Sequence, residues 1–514
     1  MIPETTRALI RKRLTDEIGR LDKDAPFRVA LTYPSPYRVG MSSLGYQLVY
    51  RAIQAMPGIS CERVFLPDGA DEPGTLGMEE PVSYEGLRPL GEFPVVALSV
   101  AYELELAGVV RLLDAAKIPL LGRDRTDGSP FVLAGGPLTF SNPLPLAPFV
   151  DALIIGEGEG IVEWALEVLR GSPSRDAALA ELATHPHIFV PQIHGGALRP
   201  VAACDDAVLP AVSAIRTPHT ELSNMLLLEA ERGCSRGCQY CVMRRSTNGG
   251  MRVVPKEVVL AAIPEDVKRV GLVGAAVSDH PKIVEILRAL TDRGCEVGLS
   301  SLRPDRLKDE FVEALRLAGY RTLTTALDGA SERLRGLIER RGREPHYIAA
   351  AERAKRHGMD RMKLYLMLGV PTETPDDIDE CARFVSEISK VIPIALGVAP
   401  FCAKRKTPLD GSDFAGIDVV DARIARLRSG LKGRADVRSP SARWAWVEYA
   451  LAQGDEEEGL AVSRAVRVGG RFADFRRELE ELGYAVRGPT GPRIRVEAAA
   501  PLLPRRARLT LAQP

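Results

Sequence analysis

The stretch NMLLLEAERGCSRGCQYC, Asn224 to Cys241, opens with an apolar run of strand length and closes on a small-residue loop carrying three thiols, Cys234, Cys238 and Cys241. Parallel α/β sheets and barrels carry their chemistry on such loops, at the carboxyl ends of strands. A structural zinc site takes four ligands, commonly as two short pairs. This loop offers three, and the remaining cysteines, Cys61, Cys204, Cys295, Cys381 and Cys402, are single and scattered in the manner of small buried hydrophobes. Three thiolates on one loop suit a 4Fe-4S cluster with one iron left unligated by protein and open to a small molecule.

The composition supports a metal or catalytic reading of the thiols. The chain has 514 residues, 45% apolar and 26% charged, with 68 basic and 68 acidic side chains and no net charge. That length predicts two or three domains. The even balance gives no electrostatic footprint for nucleic acid or an anionic membrane surface. The N-terminus, MIPETTRALIRKRLTDEIGRL, is charged throughout, lacks the apolar core of a secretory signal and reads as an amphipathic helix. Apolar stretches such as FPVVALSVAY have strand length rather than membrane-span length. The expected location is cytoplasmic, where grouped cysteines stay reduced.

Short apolar runs alternate with amphipathic segments over most of the chain, which predicts an α/β fold with parallel sheets. In the first part the strands are RVALTYP, VVALSVAY, FVLAGG and ALIIGEG, with helices over LGYQLVYRAIQAM, LAGVVRLLDAAK and GIVEWALEVLRG. Around His185 to His219 the pattern breaks into short extended pieces with Pro and Gly, read as a strand-rich connector. A second series follows, NMLLLEAERG, VKRVGLVG, EVGLSSLR, RTLTTALD, MKLYLMLG and IALGVAPF, whose six strands suit a partial or full parallel barrel. Beyond about Pro440 the rhythm gives way to small helices and a Pro- and Arg-bearing tail. The expected division is 1–184 for the first domain, 185–222 for the connector, 223–432 for the barrel and 433–514 for a small helical region with its tail. Trp444 and Trp446 are read as helix-packing aromatics in preference to a substrate-pocket floor.

With Tyr240 as the aromatic before the third cysteine, the loop resembles the C-x-x-x-C-x-aromatic-C signature of radical S-adenosylmethionine (SAM) enzymes. The resemblance implies that the SAM amino and carboxylate groups chelate the open iron and that reduction cleaves SAM to methionine and a 5′-deoxyadenosyl radical. KLYLMLGVPTETPDDI resembles the fifth-strand segment of that superfamily, with Lys363 at its start, and TTALDGASERLRG resembles the fourth-strand segment, with Asp328 where a subgroup has Glu. GLVGAAVSDHP stands where a second-strand Gly-Gly-Glu is usual, so Ser278 and Asp279 become the candidates for the SAM amino group. Ser301 and Arg303 at the end of SSLR complete the expected cofactor set, Arg303 as a bidentate partner of the SAM carboxylate or, equally, of Asp305.

Upstream, FVLAGGPLTFSNPLPLAPFVDALIIGEGEG resembles the G-G-P…D…G-E-G-E segment of cobalamin-binding domains fused to radical SAM domains. The resemblance makes Ser99, Gly135, Gly136, Thr139, Gly156, Glu157 and Gly158 the candidate cobalamin contacts, the glycines letting backbone approach a flat macrocycle. No D-x-H-x-x-G is present, so no histidine is expected on cobalt. The fold class implied is a Rossmann/flavodoxin-like domain of cobalamin-binding type, a radical SAM partial (β/α)6 barrel and a small helical C-terminal region. The function implied is a cobalamin-dependent methyltransferase acting on an unactivated carbon of a small-molecule or peptide substrate, with a flavodoxin- or ferredoxin-type electron donor. The competing readings are a cobalamin-independent, methylthiotransferase-like radical SAM enzyme, whose extra cluster would need three more N-terminal cysteines, and a non-catalytic iron–sulfur scaffold.

Overall fold

The computed structural model describes residues 2–244, 249–300 and 302–493. Phe27–Pro36 (β1), Ile59–Leu66 (β2), Val95–Ser99 (β3), Phe131–Gly135 (β4), Ala152–Ile154 (β5) and Ile188–Phe189 (β6) form one sheet in the order β2-β1-β3-β4-β5-β6. All neighbours run parallel except β5 with β6. This is the doubly wound, flavodoxin-like order, and its switch point falls between β1 and β3. Helices cover both faces, so strands are buried without alternation: all eight residues of β2 are buried. β2 escapes a reading by sequence because ISCERVFL carries Glu62 and Arg63; the fully buried Arg63 is neutralised by Glu17 and Glu85, 2.7 and 2.6 Å away.

The second unit begins with Leu226–Glu229 (β7). Glu231–Arg232 (β8) pairs antiparallel with Arg252–Val253 (β9), and then come Arg269–Val273 (β10), Glu296–Leu299 (β11), Thr322–Asp328 (β12), Arg361–Leu368 (β13), Ile394–Pro400 (β14) and Ala435–Arg438 (β15). The larger strands form two parallel sheets, β11-β10-β7 and β12-β13-β14-β15, which together curve as the partial barrel. β15 is a seventh strand beyond the six expected, past the expected barrel limit at residue 432. Its exposed Asp436 and Arg438 give it the polar look of a loop, which is how edge strands avoid further pairing.

The barrel is hollow. β13 lies between β12 and β14, and its Met362, Leu364, Leu366 and Leu368 are buried towards the helices. On its other face Lys363 and Met367 are only half-buried and Tyr365 is 44% exposed. A central strand with an exposed tyrosine faces open space.

The connector corrects the expectation of a strand-rich segment. Its first piece joins the first sheet as β6, so that sheet runs past residue 184, and the rest makes single bridges, Ala202 with Gly156, Val212 with Leu228 and Arg216 with Ile18. Its prolines and glycines interrupt any longer ladder. Ala442–Gln453, Glu456–Arg467 and Phe472–Glu481 are the C-terminal helices. Trp446 is fully buried, donates to the Ala485 carbonyl at 2.9 Å and packs on Phe472 and Tyr484, while Trp444 packs on Phe472 and Phe475. No helix among the described residues is long and apolar enough to cross a membrane.

Candidate functional site

The cysteine loop leaves the carboxyl end of β7 through the short β8–β9 hairpin. Cys238 is buried, and Cys234 and Cys241 are half-buried. Burial raises the Cys234 thiol and pushes Cys241 up to about 11, with Cys238 close enough to both to add to the shift. The Arg236 N–H points at Cys234 Sγ at 3.4 Å, the kind of backbone donor that iron–sulfur clusters use. Three clustered thiols, two of them raised by burial, on a loop no other described cysteine joins, fit a cationic cluster that would hold them as thiolates.

The loop is braced by charged pairs. Tyr240 donates to Asp328 Oδ2 at 2.7 Å, and Arg340 binds the same oxygen at 2.7 Å. Burial and then Asp328 hold the Tyr240 hydroxyl far above its ordinary value. Asp328, expected at the cofactor, therefore spends its carboxylate fixing the aromatic of the cysteine loop. Arg303 is likewise held inside the protein. Asp305 takes Nη2 and also Nε at 3.2 Å, Asp279 takes Nη1, and the expected free fork for the SAM carboxylate is occupied.

Asp279 does reach the cysteine loop. Its Oδ2 accepts from Ser235 at 3.2 Å, while its buried Oδ1 has no hydrogen-bond partner. Ser278 accepts the Arg303 N–H at 3.1 Å. Lys363 does not reach the loop: it is the third residue of the eight in β13, about 16 Å below the strand's carboxyl end at ~3.3 Å per residue. Its ammonium lies 4.8 Å over the Tyr365 ring. Ser301 lies outside the described residues.

Two residues near the loop were not singled out from sequence. Arg236 has its guanidinium pKa lowered by burial and by Arg303, and forms no ion pair among the described residues. Glu231 is fully buried; its Oε1 accepts the Ala276 N–H at 2.6 Å and its Oε2 has no hydrogen-bond partner. Burial pushes this carboxyl up to about 7. Gly274 is required beside it, since a Cβ there would stand 2.2 Å from Oε1. Neither residue carries a spacing signal, because each is defined by partners distant in sequence.

A cavity of about 320 Å³ opens at the carboxyl ends of the first sheet. Ser99, Gly135, Gly136, Gly156, Glu157 and Gly158 line it, and Glu229, Arg232, Met243 and Val273 of the second unit close it. No histidine is among the described lining residues. Gly136 and Gly156, at φ +105° and +98°, are demanded by neighbouring backbone: a Cβ would stand 2.6 Å from the Val100 carbonyl and 2.5 Å from the Ala202 nitrogen. Thr139 falls behind the wall, its hydroxyl donating to the Gly136 carbonyl at 2.8 Å and accepting from Gly156 at 3.0 Å. Its hydroxyl, expected at the cobalamin, is instead taken up by backbone.

Glu157 is also claimed by the protein. Arg252 binds its Oε1, and its Oε2 accepts the Cys204 N–H at 2.8 Å and faces Arg232 at 3.3 Å. Burial alone would raise this carboxyl, but Arg252 and Cys204 bring it down to about 2. Arg232 also binds Glu159 at 2.6 Å and Glu229 at 2.7 Å, so one guanidinium two residues before Cys234 joins the G-E-G-E loop to the cysteine loop. Glu157, Glu159 and Cys204 have ligand atoms within 4.8 Å of one another, but the two arginines already supply their positive charge.

A three-thiol loop at the mouth of a parallel α/β barrel defines an iron–sulfur enzyme of the SAM-cleaving class. Residues 229–385 match the model of the radical SAM superfamily, and residues 45–191 match that of the N-terminal region of radical SAM proteins. The chain belongs to the radical SAM superfamily, and that membership implies a 4Fe-4S cluster and SAM. It is 26% identical over 398 residues to the uncharacterized protein MJ0966 of Methanocaldococcus jannaschii, covering 75% of this chain and 80% of that one. It is 26% identical over 211 residues to the ribosomal protein uS12 methylthiotransferase RimO of Leptospira biflexa, 38% of this chain and 45% of that protein. Among solved structures it is similar to the cobalamin-dependent SAM radical enzyme OxsB, at 14% identity and a TM-score of 0.45, covering 71% of this chain and about half, 52%, of that one.

Proposed function

We propose that this radical SAM enzyme is a cobalamin-dependent methyltransferase acting on an unactivated carbon of a small-molecule or peptide substrate, in the cytoplasm, with a flavodoxin- or ferredoxin-type electron donor. The observation that carries the reading is the cavity of about 320 Å³ shared between the first sheet and the cysteine-loop unit. It stands at strand ends, where open α/β sheets bind nucleotides, and its volume lies at the low end for ligand sites, suited to the nucleotide portion of such a cofactor. Ser99, Gly135, Gly158 and the apolar wall around Leu133 and Ile154 would hold it.

When bound, the cluster with SAM supplies one-electron cleavage to an adenosyl radical, and cobalamin supplies a transferable methyl group. The chain's own residues orient these groups. Cys234, Cys238 and Cys241 would hold the cluster, Asp279 would offer the SAM ammonium its Oδ1, which makes no hydrogen bond and has only the Arg306 guanidinium at 3.6 Å, and Arg236, without an ion pair among the described residues, would face the SAM carboxylate. Against a methylthiotransferase-like reading stands the first domain's cysteine content, since only Cys61 precedes the connector and it is buried.

Anaerobic reconstitution with hydroxocobalamin followed by gel filtration tests the proposal. About one corrin per chain is expected to be retained, with a cob(II)alamin EPR spectrum lacking the nitrogen splitting of an axial imidazole. A colourless protein that still cleaves SAM would sink the cobalamin claim and leave the radical SAM assignment standing.

A further inference from the structure

Four carboxylates line the cavity at the carboxyl ends of the first sheet: Glu157, Glu159, Glu163 and Glu229. Three of them are neutralised. Arg252 and Arg232 hold Glu157, and Arg232 also holds Glu159 at 2.6 Å and Glu229 at 2.7 Å. Glu163 differs. It stands half-buried in the first turn of the helix Ile161–Gly171 with no ion pair among the described residues, and its Oε2 is buried without a hydrogen-bond partner. The helix N-terminus offsets part of the charge but gives this oxygen no donor. A carboxylate oxygen withdrawn from water is costly to leave without one.

The space that Glu163 borders has a defined shape. Leu31, Ala97 and Leu133 stand side by side on β1, β3 and β4 and floor it, and Leu48 and Ala52 of the helix Leu44–Ala55 roof it. An apolar slot between a sheet and its covering helix suits a flat ring, and the strand ends of a doubly wound sheet are where nucleotides bind. The bases that could fill it differ at the edge that would meet Glu163. Dimethylbenzimidazole, the lower base of cobalamin, offers C–H groups and one lone-pair nitrogen, so it has no hydrogen for Oε2. An aminopurine offers an exocyclic N–H.

We propose that this cavity selects a base with an exocyclic amine, an aminopurine whose N–H donates to Glu163 Oε2. The inference rests on the reading of the cavity as the nucleotide site of the proposed function, and it makes Glu163 the residue that sets base specificity. The same base chemistry is carried by the lower base of a corrinoid and by a free adenine nucleotide, and the test separates the two sources.

Cluster-loaded full-length protein is titrated anaerobically, in separate arms, with cobalamin, with the cobamide that has adenine as its lower base, and with adenosine monophosphate, and binding is read by equilibrium dialysis. The adenine cobamide is expected to bind about tenfold tighter than cobalamin, because only its base satisfies the buried oxygen. Glu163→Leu should bring that ratio to about one, whereas Glu163→Gln, which keeps a carbonyl acceptor, should retain most of it. Equal affinity of the two cobamides for the parent protein overturns the proposal, and so does a ratio that survives Glu163→Leu. Adenosine monophosphate bound in the absence of affinity for either cobamide, and weakened about tenfold by Glu163→Leu, keeps the amine contact and sinks the cobalamin reading. Binding in none of the arms overturns both. Iron content and SAM cleavage, measured on the same samples, report separately on the radical SAM site.

Discussion

In the proposed function the chemistry depends on Cys234, Cys238 and Cys241, and replacing any one with Ala is expected to abolish the cluster and SAM cleavage. Ala at Cys61, Cys295, Cys381 or Cys402 should leave iron content unchanged; anaerobic reconstitution with iron assay and Mössbauer spectroscopy reads both halves. The three thiols were legible because their relation is local, one loop with a fixed spacing. Of the two partners expected for Arg303 the structure shows Asp305, joined by Asp279, while the partners of Asp328, Arg340 and Tyr240, were not legible because a charged side chain is defined by a partner that the fold chooses. Arg340→Met leaves the buried Asp328 carboxylate with only a phenol and is expected to cost about 3–5 kcal/mol in urea unfolding. The double variant Arg340→Met/Asp328→Asn should cost less than the sum of its parts, since the second change removes the stranded charge.

At the scale of elements, the apolar strands and amphipathic helices were legible by period, whereas β2 and β15 were not, the first because it buries Arg63 among its own acids and the second because it is a polar edge. The link between β5 and β8 was equally hidden: the G-E-G-E loop looks like a ligand loop, yet Glu157 and Glu159 grip Arg232. Arg232→Met would strand the buried Glu229 and the half-buried Glu159, while Glu157 keeps Arg252, and is expected to lower stability by about 3–5 kcal/mol, visible as an earlier thermal transition. The turn between β3 and the helix Leu106–Ala115 gives a pH test. Burial pushes Glu105 up to about 7 from 4.5, although Ala101 N–H and the Ser35 hydroxyl bond its oxygens. A carboxyl raised in the folded state binds its proton more tightly there, so stability is greatest below about pH 4.5, falls as pH rises to about 7 and is flat above. Glu105→Gln should flatten that profile and gain about 2 kcal/mol at pH 8, as read by urea unfolding at pH 5 and pH 8.

For the whole molecule, the succession of units was legible in the change of rhythm along the chain, but their docking was not, because it rests on contacts hundreds of residues apart. The Asn142 amide of the first domain donates to the Leu451, Ala452 and Gly454 carbonyls at 2.8–3.2 Å, and Gly459 of the C-terminal region packs so closely that a Cβ would stand 1.9 Å from the Pro145 carbonyl. The C-terminal helices are thus a wedge between first domain and barrel, and Lys404 is the bolt through it. Raised by Glu103 and Glu448 against the burial that opposes it, its ammonium stays charged and ties the β3 turn, the β14 loop and the helix Ala442–Gln453 together. Lys404→Met keeps the side-chain length but removes the charge both glutamates need. The expected result is a loss of about 3–5 kcal/mol, and because one hydrophobic cluster runs through first domain, barrel and C-terminal helices, the loss is expected as a single calorimetric transition moved to lower temperature. Lys404→Arg, which can still reach both carboxylates, should restore the parent transition. A single unshifted transition in Lys404→Met would mean that the hydrophobic wedge alone joins the units.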